Sequence, residues 1–212
     1  MRIGILGAGH TGEALGRGLI QAGHVCFISS REPEHSRHLE WMEETGAKGH
    51  VGTFNQAAQY GELVILALPW AGMKDVLDTL DPEHLNNKTV IDISNAVHFD
   101  RGPKLIHNDT SAGESVQSWL PASRVVKTLN TVNAARMVHP QFTEGVPVMF
   151  VSGNDTGAKA QTVKLLHELG WSQVIDLGDI WHSRLQESIM LACVISESRL
   201  DASGAAFSLL KR

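Results

Sequence analysis

The chain is expected to fold as an α/β protein, a Rossmann-like doubly wound and mostly parallel sheet, and three observations point to it. Short runs rich in β-branched residues or leucine alternate along the sequence with segments of helical period. A glycine triplet, Gly7, Gly9 and Gly12, stands where the first apolar run passes into the first helical segment. A second apolar run ends about twenty residues further on, at the distance a dinucleotide-binding βαβ unit requires.

The elements follow in order. "RIGIL", "HVCFISS", "ELVILAL", "KTVIDIS" and "RVVKTLN" read as successive strands, the third as a buried central one. Between them, "TGEALGRGLIQAG", "PEHSRHLEWMEETG", "GMKDVLDTLDPEHL" and "SAGESVQSWLP" place apolar residues three or four apart, as helices do. Strands separated by helices imply parallel pairing with right-handed crossovers. After "NTVNAARMVHP" a smaller α/β section follows: a strand "VPVMFVSG", a helix capped by Asp155 or Thr156 and ended by Gly170, a strand "QVIDLG", and a long final helix from Ile180 to Leu200. The expected division is residues 1–138 for the nucleotide-binding part and 139–212 for a section too small to fold alone, extending the same sheet and walling one side of a site.

Composition narrows the function. With 18 basic against 23 acidic side chains in 212 residues, the surface carries no overall cationic field for nucleic acid or anionic lipid. The longest apolar stretch, "LVILALPWAGM", contains Pro69 and Gly72 and falls far short of the ~20 residues that span a bilayer. The opening residues lack the apolar core and cleavage site of a secretory signal, so a cytoplasmic address is expected. Cys26 and Cys193 lie among apolar neighbours and read as buried free thiols. His35 and His38 form a pair at helical spacing but have no completing ligands nearby, and no metal site is expected.

The glycines divide three tasks: Gly7 for the tight turn, Gly9 for close approach of a pyrophosphate to the backbone, Gly12 for close packing of helix on strand. The helix N-terminus adds free N–H groups and a partial positive charge. His10 and Thr11 lie inside the loop, and Thr11 is placed to cap the helix and touch a phosphate. At the end of the second strand an NAD site normally carries Asp or Glu, whereas here Ser29, Ser30 and Arg31 stand there. A carboxylate repels a 2′-phosphate, and a hydroxyl with a guanidinium binds it, so NADP is expected. Glu32 argues the other way, but the turn at Pro33 aims it aside; Arg37 is a second candidate cation.

In an open α/β sheet the ligand crosses the carboxyl ends of the strands. The residues there are Leu68, Pro69 and Trp70, then Ser94, Asn95 and Ala96, then Asn130, Thr131, Val132 and Asn133. Pro69 turns the chain past the cofactor and Trp70 offers a flat apolar face, while the hydroxyls and amides orient a ring. No Lys, Tyr or His with a placed partner emerges as a catalytic acid or base, and His98 and His107 read as loop bystanders. Hydride exchange with a flavin-like ring, which asks mainly for alignment, suits such a site better than ketone or imine reduction, which calls for a proton donor.

Assembled, "RIGILGAGHTG", "SSRE", "LALPW", "VIDISNA", "SAGESVQSWLPASRVVKTLNTV", "VMFVSGND" and "ELGW" resemble, over nearly the whole chain, the NADP oxidoreductases that use the deazaflavin coenzyme F420. The cytosolic reductase domain of STEAP-type metalloreductases is similar too, and pyrroline-carboxylate reductases share the first half. The resemblance implies NADP on Gly9, His10, Thr11, Ser30 and Arg31, with the nicotinamide near Pro69, Ser94 and Ala96 and the partner ring near Asn130, Thr131 and Val132. Ser29 stands where the family commonly has glycine, and Asn133 where it has a small residue. The expected function is hydride transfer between NADPH and a deazaflavin, FMN or FAD. The alternatives are reduction of a small imine or carbonyl compound, or NADPH sensing without turnover. The apolar side of the final helix suggests a homodimer.

Overall fold

The computed structural model describes residues 1–100, 102–107, 109–201 and 204–210. Its elements run β1 (Arg2–Leu6), α1 (His10–Gln21), β2 (Val25–Ser29), α2 (Ser36–Thr45), β3 (Gly49–Gly52), α3 (Phe54–Tyr60), β4 (Leu63–Leu66), α4 (Trp70–Asp78) and β5 (Thr89–Asp92). A small hairpin of two two-residue strands, β6 (Val97–His98) and β7 (Lys104–Leu105), then leads to α5 (Ala112–Trp119), β8 (Arg124–Lys127), β9 (Val148–Gly153), α6 (Thr156–Glu168), β10 (Gln173–Asp176) and α7 (Ser183–Leu200).

Eight strands form one sheet in the order β10-β9-β8-β5-β4-β1-β2-β3. Every neighbouring pair is parallel except β8 with β9, where Val126 faces Gly153 and Lys127 faces Ser152. From β1 the chain winds outward through β2 and β3, then returns to β4 and winds the other way through β5 and β8. The strand order therefore reverses between β1 and β4, and a crevice opens outside their carboxyl ends.

Apolar patterning explains the layers. Ile3, Ile5 and Leu6 of β1 and all four residues of β4 are almost wholly buried, because helices cover both faces. Each such aliphatic side chain stabilises the fold by roughly 1.5–3 kcal/mol. One face of the sheet packs Ile3, Ile5, Leu15, Leu19 and Trp41 in the same core as Met149, Val151, Leu165 and Trp171. The 139–212 section thus shares a hydrophobic core with the first strand.

Local signals act where they were read. Asp155 caps α6 through its side chain and the Ala158 amide, and Gly170 ends that segment at φ +97°. The sequence reading passed over β3 and α3. The strand "GHVG" is four residues long with glycine at both ends, which gives no periodicity to detect. For α3 a signal existed: Thr53 and Gln56 form a reciprocal capping box.

Cys26 and Cys193 are free and buried, and burial pushes their thiols up to about 12 and about 11. Among the described residues no helix is long and apolar enough to cross a membrane.

Candidate functional site

A cleft of about 810 Å³ lies at the carboxyl ends of β1, β2, β4 and β5, within the size range of ligand pockets. Its first wall is the loop between β1 and α1. Gly7 adopts φ +124°, a conformation side chains rarely reach, and a Cβ there would stand 2.3 Å from the Ala67 carbonyl oxygen. A Cβ on Gly12 would stand 2.0 Å from the Gly7 carbonyl oxygen, so the loop folds directly against the helix. A Cβ on Gly9 would meet nothing within 4 Å, which leaves bare backbone facing the cleft.

The cap of α1 is Gly9, which makes no side-chain cap hydrogen bond. The expectation that Thr11 caps the helix is therefore corrected: Thr11 lies inside the first turn and the extended residue before the helix is Gly9 (φ −78°, ψ 179°). Glu13 is the first amide bonded back into the turn, to the Gly9 carbonyl at 3.0 Å. The amides of His10, Thr11 and Gly12 are thus open to an anion at the positive end of the helix.

At the end of β2, Ser29 is fully buried, donating to the Ile5 carbonyl and accepting from the Gly7 amide. It buttresses the loop and does not reach for a ligand. Ser30 accepts the Glu32 amide at 3.1 Å, which leaves its hydroxyl proton available toward the cleft. Arg31 lines the cleft, is exposed, and forms no ion pair among the described residues. Glu32 faces a separate groove with Pro33, Glu34 and His35. Arg37 also lines the cleft, but its guanidinium already binds Glu13 at 2.9 Å and the Ala8 carbonyl, tying α2 to the loop.

The opposite half is lined by Leu68, Pro69, Trp70, Ser94, Asn95 and Val132. Trp70 is half-buried and stacks on Trp119 with ring centroids 5.3 Å apart, while His107 meets its edge at 5.8 Å. Asn95 and Asn130 exchange hydrogen bonds: the Asn95 amide donates to the Asn130 backbone carbonyl, and the Asn130 amide to Asn95 Oδ1, each at 2.9 Å. Three residues that sequence placed against the ligand do not line the cleft. Asn130 is 2 % exposed and Thr131 4 %, both turned into the layer behind the wall, and Ala96 is wholly buried. Their backbone follows a strand end as expected, but the side chains serve packing and the amide pair.

Sequence reasoning passed over Phe54, Phe99, Ala134 and Met137, which supply apolar lining. Phe54 opens α3, an element left unread, and Phe99 sits in the β6–β7 hairpin, so neither had a placed element to mark it. It also passed over a buried charge group behind Ser94. Asp92, Lys127 and Glu187 are each at most 2 % exposed, with Lys127 Nζ 2.9 Å from Asp92 and 3.3 Å from Glu187. Burial pulls the Lys127 ammonium down, but the two carboxylates outweigh it and hold it above the ordinary lysine range. Burial pushes the Glu187 carboxyl up, against the pull of Lys127.

The arrangement offers open amides and an unpaired guanidinium at one end, and hydroxyl, amide and apolar surfaces at the other. It can hold an elongated anionic nucleotide and align a flat ring.

The model of the family described as NADP oxidoreductase coenzyme F420-dependent matches residues 2–96. An F420-dependent NADP reductase of Methanocaldococcus jannaschii is 29% identical over 201 residues, covering 89% of each chain. A crystal structure from Arthrobacter sp. FB24, provisionally described as an F420-dependent NADP reductase, is 34% identical, covers 100% of both chains and superposes with a TM-score of 0.93. A reductive aminase from Aspergillus terreus, solved with NADPH and ethyl levulinate, is 18% identical with a TM-score of 0.67 over 93% of this chain and 62% of its own, a likeness of fold alone. The chain is thus an NADP-dependent oxidoreductase, and it belongs to the family of NADP oxidoreductases dependent on coenzyme F420.

Proposed function

We propose that this chain moves a hydride between NADPH and a deazaflavin of the F420 type, and that the cleft described above binds both. The observation that carries the reading is the pairing of bare backbone at Gly9 with Ser30 and the unpaired Arg31 one strand away. Open amides at His10, Thr11 and Gly12 suit a pyrophosphate, and Gly7 holds the loop that presents them. Ser30 and Arg31 suit the 2′-phosphate that separates NADP from NAD. Bound NADPH supplies the hydride; the residues of this chain bind, orient and exclude water.

The nicotinamide end is assigned to Leu68, Pro69 and Ser94, with Ala96 supporting from behind, and the acceptor ring to Trp70, Asn95 and Val132, with Asn130 and Thr131 holding that wall. Among the described residues, the ionisable side chains lining the cleft are His10, Arg31, Arg37 and His38, at the start of α1, just after β2 and on α2. The half assigned to the rings presents hydroxyl, amide and apolar groups. Such groups align two rings without protonating either, which favours a deazaflavin over an imine or carbonyl substrate.

Residues 1–138 are assigned as the NADP-binding part and 139–212 as the section that completes the sheet and the acceptor side. The exposed Trp181, in the turn just before the last helix, and Leu185 and Ile195 on that helix are assigned to contact with a second copy of the chain, making a homodimer. Two free buried thiols suit a reducing, cytoplasmic setting.

The test mixes pure protein with NADPH and, separately, a deazaflavin, FMN, FAD, a ferric chelate and a cyclic imine, following nicotinamide absorbance. Oxidation with the deazaflavin alone is expected. Turnover with the imine alone would replace the reading by the imine reductase alternative, and tight NADPH binding with no turnover by a sensor.

A further inference from the structure

The group of three buried charges has no part in the roles assigned so far. Asp92 ends β5, Lys127 ends β8, and Glu187 comes from α7, so the group joins two central strands to the last helix. Its hydrogen bonds converge on one residue. Asp92 Oδ1 accepts the Ser94 amide at 2.9 Å, and Lys127 Nζ donates to the Ser94 carbonyl. Glu187 Oε1 holds Lys127 from the other side and accepts the Ala112 amide at 2.8 Å, anchoring the group to α5.

Both backbone groups of Ser94 are therefore held by charged side chains inaccessible to solvent. Its own hydroxyl is in the opposite condition: the residue is 6 % exposed, lines the cleft, and its Oγ has no hydrogen-bond partner among the described residues. Burying three charges is a poor route to stability, since well-packed apolar residues usually do as well or better. A buried hydroxyl left unpaired is a further cost. Both costs fall at one residue on the cleft wall.

We propose that the Asp92–Lys127–Glu187 group positions Ser94, so that its hydroxyl hydrogen-bonds a polar substituent, such as a carboxamide, on the ring bound at this end of the cleft. Lys127 and Glu187 are positioning residues that act through Ser94 and do not touch the ligand. The inference rests on the reading that the cleft binds NADPH with its nicotinamide near Ser94.

The test compares NADPH with 2′-phospho-ADP-ribose, which carries the same adenosine and phosphates but no nicotinamide ring. Dissociation constants are measured by titration calorimetry, with the thermal midpoint of each variant recorded. Ser94→Ala is expected to weaken NADPH roughly tenfold, the scale of one hydrogen bond, and to leave the ring-free ligand unchanged. Lys127→Met would strand two buried carboxylates and endanger the fold, so the group is perturbed at Glu187. Glu187→Leu is expected to weaken NADPH severalfold but not the ring-free ligand, and to add nothing further in the Ser94→Ala background. Glu187→Gln, which keeps the Oε1 acceptor, is expected to restore wild-type affinity.

Independent, additive losses from Ser94→Ala and Glu187→Leu would overturn the inference, as would equal weakening of both ligands by Glu187→Leu or a silent Ser94→Ala. Wild-type protein that binds neither ligand would instead refute the NADP site itself.

Discussion

In the function proposed above, the coenzyme preference rests on one side chain, Arg31. It stands exposed at the end of β2 beside Ser30, while the other candidate cation, Arg37, is already held by Glu13 and the Ala8 carbonyl. Arg31→Glu removes one charge-assisted contact and adds a like charge opposite a phosphate, so it is expected to weaken NADPH by about 2 kcal/mol while sparing NADH. Calorimetry with both nucleotides checks this, and unchanged preference would refute the assignment. Gly12 makes a different prediction. A methyl group there would stand 2.0 Å from the Gly7 carbonyl oxygen, which is backbone and cannot swing aside. Gly12→Ala should destabilise the fold by about 1–3 kcal/mol in denaturant unfolding and weaken NADPH at the same time, because the displaced loop carries the open amides. The glycines were legible in sequence because each task follows from lacking a Cβ. Asn130 and Thr131 were not: sequence places them after a strand, but which way each side chain turns depends on Asn95 and Met149, which arrive from elsewhere in the chain.

Among the elements, α5 and α7 depend on each other through polar contacts. Arg184 donates two hydrogen bonds to Glu114, at 2.8 and 2.7 Å, and Ser111 meets Ser183 at 2.7 Å. The hydrogen bonds from Arg184 hold the Glu114 carboxyl below the usual carboxylate range. Because its folded pKa is depressed, the stability it contributes is present above the unfolded value of about 4.3 and is lost as pH falls through the folded value. Removing the partner by Arg184→Gln should therefore lower the thermal midpoint near neutral pH, and the gap to wild type should narrow as the medium is acidified below pH 4. A gap that stays constant through that range would show that the ion pair contributes nothing. The inward face of α7 carries Ser183, Gln186 and Glu187 where an amphipathic helix usually carries aliphatic residues. That choice makes sense only beside the strand ends it meets, where Gln186 donates to the carbonyls of Lys127 and Phe150.

Over the whole molecule, the antiparallel strand β9 joins the 139–212 section to the rest through β8 and through a core shared with β1. A fragment ending at residue 138 loses Met149, Val151, Leu165, Leu166 and Trp171 from that core and leaves the edge of β8 unpaired. It is expected to lack a cooperative thermal transition by calorimetry, whereas a fragment that melts cooperatively and binds NADPH would mark the first section as an independent unit. The sequence by itself determined the alternation of strands and helices, the phosphate-type loop and the change from a carboxylate to Ser30 and Arg31, since each is written within a few consecutive residues. Only the tertiary structure decided that β9 runs antiparallel, that Asn130 turns inward, and that Asp92, Lys127 and Glu187 meet behind Ser94. Those outcomes depend on residues 25 to 60 positions apart along the chain, and burial and charge act on distance in space, which local sequence pattern does not record.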